Sequence, residues 1–121
     1  MPATRILLFL AGLAGAAGVA LAAAAAHMGG AGLETAAMFL ILHAAALVGV
    51  TALAAGAPGT LFARVSLIGG FVLLAGLVLF SGDLTARVFL DDRLFPMAAP
   101  TGGSLLIAGW LVLAISAAFR R

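Results

Sequence analysis

No cysteine and no tyrosine occur in these 121 residues, lysine is absent, and only four side chains are acidic. Without cysteine there is no disulfide framework, no thiol chemistry and no thiolate metal site. Charged residues make up 8% of the chain, where a soluble domain carries about 25%. That shortage excludes an ordinary water-soluble globule. The six basic residues are all arginine: Arg5, Arg64, Arg87, Arg93, Arg120 and Arg121. They are scattered, so the sequence pI of 11.3 reports loop charges and not a nucleic-acid footprint. No nucleic-acid partner is expected.

What the chain has in abundance is apolar. Hydrophobic residues reach 65% and the mean hydropathy is +1.31. From Glu34 to Ala55 the sequence reads ETAAMFLILHAAALVGVTALAA. As a helix rising 1.5 Å per residue, this crosses a bilayer core of roughly 30 Å. One ionisable side chain, His43, lies near its middle. Such a residue is costly in lipid and calls for protein or trapped water around it, and for a partner.

Three more apolar runs accompany it. Helices are expected over residues 6–26, 34–55, 60–89 and 101–119, in a single membrane domain. The first run competes with a signal peptide, but about 20 apolar residues exceed the usual core of 7–15. Gly29, Gly30 and Gly32 mark the first connection, and Gly56-Ala-Pro58-Gly the second. Glu34 suits the positive end of the second helix. Asp83 and Arg87 stand four apart, the spacing of a surface ion pair. Pro96 and Pro100 should limit helix before the fourth run, with Thr101 as its cap. Gly12, Gly15 and Gly18 in the first run, Gly69, Gly70 and Gly76 in the third, and Gly102, Gly103 and Gly109 in the fourth are candidates for close helix packing.

Four spans place both termini on one side. That side carries Arg5, Arg64, Arg120 and Arg121, against Arg87 and Arg93 on the other, so the positive-inside rule puts the termini in the cytoplasm. The expected fold is an all-α, antiparallel four-transmembrane-helix bundle in the inner cell membrane.

Several stretches now line up: Ala20-Leu-Ala-Ala-Ala-Ala-Ala-His27, His43, Leu79-Phe-Ser-Gly82, Pro100-Thr-Gly-Gly103 and Ala108-Gly-Trp110. In order and spacing the chain resembles the family catalogued as domain of unknown function 423, small bacterial four-helix membrane proteins akin to transmembrane protein 256. The family's small Gly-Ala pattern before the first histidine is all alanine here. Its Tyr-Gln before the second is Phe39-Leu40. Its Ser after Phe-Ser-Gly is Asp83, the following Tyr position is Thr85, and its Thr before Pro100 is Ala99. The resemblance implies a four-helix inner-membrane protein and no established reaction.

Two constellations could carry chemistry. Counting depth along each helix puts His43 level with Gly18, the stretch from Leu74 to Gly76, and Trp110. His43 is expected beside Trp110, with Gly18 or Gly76 leaving room. A Trp at mid-membrane needs an acceptor for its indole N–H, and a neutral imidazole nitrogen is one. The pair is either a structural bond or a relay, and a relay would need a water file through Ala, Leu and Gly. At one membrane edge, His27, Glu34, Ser81, Asp83, Arg87 and Thr101 should form a polar cap. The same groups are a weaker candidate for a metal or lipid site, having no close ligand pair. No nucleophile–base pair is catalytic in kind, and no cofactor or metal is expected. The leading expectation is a non-enzymatic accessory or scaffolding subunit, as a homo-oligomer or in a larger membrane complex. Transport of a proton or small molecule through His43 is the alternative, and lipid handling or metal binding at the edge cluster is another.

Overall fold

A computed structural model describes residues 2–120. Arg121, counted above with the terminal arginines, lies outside the described residues. Four helices follow one another: α1 (Pro2–Met28), α2 (Ala31–Ala55), α3 (Leu61–Phe89) and α4 (Ala98–Ser116), which tightens into a 3-10 turn over Ala117–Phe119. All four are long and apolar enough to cross a membrane. The protein is an all-α membrane protein of four antiparallel helices.

Local chemistry sets the helix ends. α1 starts at Pro2, ahead of the expected residue 6, because a first-turn proline gives up an N–H that has no partner anyway. Only Gly29 and Gly30 join α1 to α2, at φ 75° and 99°, values that glycine adopts without penalty. α2 consequently begins at Ala31 and holds Glu34 in its first turn. Thr60 caps α3: its Oγ1 accepts from the Ala63 N–H at 3.1 Å and donates to the Ala57 carbonyl at 2.7 Å.

The start of α4 corrects the expectation. The helix opens at Ala98 from Met97 in the left-handed region, φ 70°, and not at Thr101. Thr101 is no cap, for its N–H already bonds the Met97 carbonyl at 2.9 Å. Pro100 falls in the first turn, where it removes no helical hydrogen bond, so only Pro96 precedes the helix.

The helices pack in chain order. α1 lies against α2, α2 against α3 and α3 against α4, and α1 also touches α3. Among the described residues no Cα pair within 8 Å joins α4 to α1 or to α2. Leu7, Leu47, Leu73 and Leu77 fill the core, with Ala11, Ala63, Leu67 and Leu106 around them. Phe9, Val19, Ile107 and Leu111 stay exposed, as suits a surface solvated by acyl chains.

Glycine controls the closest approaches. A Cβ on Gly102 would stand 2.5 Å from the Phe80 nitrogen and 2.8 Å from the Gly76 carbonyl oxygen. One on Gly76 would stand 2.7 Å from the Gly102 oxygen, and one on Gly109 2.7 Å from Leu73 Cγ. Gly69 and Gly70 work similarly, toward Leu113 and toward Leu7 and Val50. Gly18 admits Leu40 and Ile41 of α2. Three expected packing glycines do not act this way. Gly12 has nothing within 4 Å of a Cβ, and Gly15 and Gly103 would make ordinary contacts at 3.5 and 3.9 Å.

Gly102→Ala should therefore destabilise the helix bundle by about 1–3 kcal/mol, the usual range for overpacking, while Gly103→Ala stays near neutral. Thermal or denaturant unfolding in mild detergent checks the pair; equal stabilities would contradict the backbone contact.

Candidate functional site

His43 stands at the centre of α2, twelve residues from each end of Ala31–Ala55, about 18 Å of helix either way. It is 7% exposed. Both ring nitrogens are engaged. Nδ1 lies 2.9 Å from the Phe39 carbonyl oxygen one turn earlier. Nε2 lies 3.1 Å from Trp110 Nε1 on α4. A carbonyl only accepts and an indole N–H only donates. The neutral Nδ1–H tautomer alone satisfies both contacts, so the network assigns it.

The bond links two helices whose backbones stay apart. Trp110 bridges that distance because its indole carries the donor at the far end of a large apolar body. A chain of rings runs on from it. His43 and Trp110 centroids are 5.8 Å apart, Phe39 stacks on His43 at 5.6 Å, and Phe39 meets Phe80 of α3 at 4.5 Å. Sequence reasoning did not include Phe39 or Phe80 in the site; the available signal was the four-residue spacing that stacks Phe39 under His43. It also assigned room at this level to Gly18 or Gly76. The structure corrects that: Gly18 faces Leu40 and Ile41, and Gly76 faces α4 at Gly102 and Leu106.

The edge residues do not gather as one cluster. Asp83 and Arg87 form the expected ion pair, but Asp83 is fully buried, so only the arginine end lies at the surface. Asp83 Oδ2 accepts from Arg87 Nη2 at 2.8 Å and its Oδ1 from the Leu94 backbone N–H at 2.7 Å. The second bond folds the chain after α3 back across the carboxylate. Ser81 Oγ donates to the Ala36 carbonyl of α2 at 3.2 Å, and Thr85 Oγ1 to the Ser81 carbonyl at 2.7 Å. His27, Glu34 and Thr101 are exposed and make no hydrogen bond to Asp83 or Arg87. Glu34 lines a separate groove with Ala22, Ala37 and Ile41. Among the described residues no three His, Asp or Glu side chains converge.

Other buried hydroxyls escaped sequence reasoning. Thr51 and Ser116 bond their own helices, to the Leu47 and Leu113 carbonyls, while Ser66 Oγ is buried without a hydrogen-bond partner among the described residues. Their scattered positions along apolar runs offered no periodic signal.

Residues 14–103 match the family described as protein of unknown function (DUF423). A UPF0382 membrane protein of Staphylococcus haemolyticus is 45% identical over 47 residues, 39% of this chain and 38% of its own length. Another from Staphylococcus epidermidis is 43% identical over 47 residues, again 39% and 38%, and one from Staphylococcus aureus is 36% identical over the same shares. The matched stretch thus spans under two fifths of these relatives. No solved structure matches the chain.

Two outcomes follow from the geometry. In a double-mutant cycle of His43→Ala and Trp110→Phe, unfolding in detergent should give a coupling of about 0.6–1.7 kcal/mol, the range for bonds between membrane helices; no coupling would dissolve the pair. Asp83→Ala should strip the Leu94 amide of its protection in hydrogen exchange and cost about 1.5–3 kcal/mol, as for a hydrogen bond to a charged group. Unchanged exchange at Leu94 would show that the loop is held by other means.

Proposed function

The chain belongs to the DUF423 family of small membrane proteins of unknown function, and from that premise we propose that it works as a non-enzymatic accessory subunit, through contact of its helix faces with further membrane helices. What carries the reading is a pair of glycines inside the spans that the bundle itself does not use. A Cβ on Gly12 of α1 or Gly49 of α2 would meet nothing within 4 Å. In a helix interior glycine costs about 1 kcal/mol relative to alanine in water, and in lipid its benefit is the close backbone approach of a neighbour. Ala16 on α1 and Ala45 and Ala52 on α2 extend these two exposed faces. The partner is a second copy or a larger membrane complex.

His43 fits the same reading as a structural element. Both nitrogens are committed. A transport role would need that bond broken and water admitted. The excess of arginine on the terminal side supports an inner-membrane placement with the termini in the cytoplasm.

Gly12→Leu and Gly49→Leu test the proposal, since both positions are exposed and a Cβ at either meets nothing within 4 Å. Energy transfer between labelled copies in liposomes, together with copurification from native membranes, should report an association weakened about tenfold by the pair, as a loss of 1–2 kcal/mol would produce. A wild-type chain that is a lone monomer without copurifying partner, or an association indifferent to both substitutions, would overturn it.

A further inference from the structure

Where the C-terminal half of α3 passes α1, the two helices do not close on one another. They leave a groove of about 600 Å³, walled by Ala17, Ala20 and Leu21 on one side and Val78 and Phe89 on the other. Leu40 and Leu77 also line it, and Leu90 and Leu94 stand at its far end. The thirteen residues from Leu77 to Phe89 measure about 20 Å of helix. One leaflet of a bilayer core is about 15 Å deep, so the groove has the length and the apolar walls of a slot for one acyl chain.

A second recess adjoins it in sequence and space. It has about 270 Å³ and is lined by Arg87, Asp91, Asp92 and Arg93, whose positions interleave with Phe89, Leu90 and Leu94 of the groove. Two cationic and two anionic side chains line it. Among the described residues the Arg93 guanidinium and the Asp91 carboxylate have no hydrogen-bond partner, and Asp92 accepts only from the Arg93 backbone N–H, at 2.8 Å. Buried Asp83 holds both parts together, for it binds Arg87 of the recess and the backbone of Leu94 of the groove.

We propose that groove and recess form one binding site for a zwitterionic phospholipid with a primary ammonium headgroup. An acyl chain lies along the groove, the phosphate meets Arg87 and Arg93, and the ammonium meets Asp91 and Asp92. Guanidinium recognises phosphate by paired charge-assisted hydrogen bonds, and carboxylate recognises ammonium likewise. A net-anionic headgroup would bring excess negative charge against Asp91 and Asp92. A quaternary ammonium is best held by aromatic rings, and the recess has none.

Native mass spectrometry of the full chain, purified in mild detergent, tests the site. Phosphatidylethanolamine and phosphatidylglycerol of identical acyl chains are added at equal concentration. Phosphatidylethanolamine should be retained at least about fivefold better. The double change Asp91→Asn and Asp92→Asn should remove that preference. Ala20→Phe, which fills the groove at an exposed position, should abolish retention of both lipids while circular dichroism remains that of the wild type. Equal retention of the two lipids by the wild-type chain would overturn the proposal. So would a preference that survives both Asn changes, or binding unaffected by Ala20→Phe.

Discussion

Acyl chains solvate leucine as well as another leucine does, so helices in a bilayer hold together only where backbones can touch or a polar group finds a partner. The contact between Gly76 and Gly102 is the sharpest expression of that constraint. At this point the carbonyl oxygen of one helix lies within 2.8 Å of where a Cβ on the other would be. Gly109 repeats the arrangement two turns along α4, against Leu73. α3 and α4 therefore meet backbone against backbone at Gly76 and Gly102, and the Leu73 side chain fills the space that Gly109 leaves.

Polar groups supply the rest, and each is satisfied in a way that fits its depth. His43 is at mid-span and buried, and its two nitrogens use one carbonyl of its own helix and one indole of another. Asp83 is nearer the end of its helix and pairs with Arg87, which is half exposed. A lone carboxylate sealed from solvent would be far more costly. Both residues join parts that backbone packing leaves separate: α4 to α2 in one case, the loop after α3 to its own helix in the other.

Because the helices pack in chain order, the bundle remains open on several sides. α1 and α4 have neighbours on part of their circumference only, and grooves run between α1 and α3 on one face and between α1 and α2 on another. These outer surfaces are where recognition of other helices or of lipid is physically open to it.

Composition and run length by themselves determined that this is a four-span membrane protein, and simple depth counting put His43 and Trp110 at one level. Those quantities are local: hydropathy averages over one stretch, and rise per residue is the same in every helix. The spacing of Asp83 and Arg87 was readable for the same reason. Its burial was not, because the backbone that covers it comes from Leu94, eleven residues on. Nor could the sequence separate Gly76, pressed against α4, from Gly12, which touches nothing. In water a buried face is marked by the polar residues opposite it. In lipid every face is apolar, so which helices are neighbours, and which glycines lie between them, was decided only when the four spans packed together.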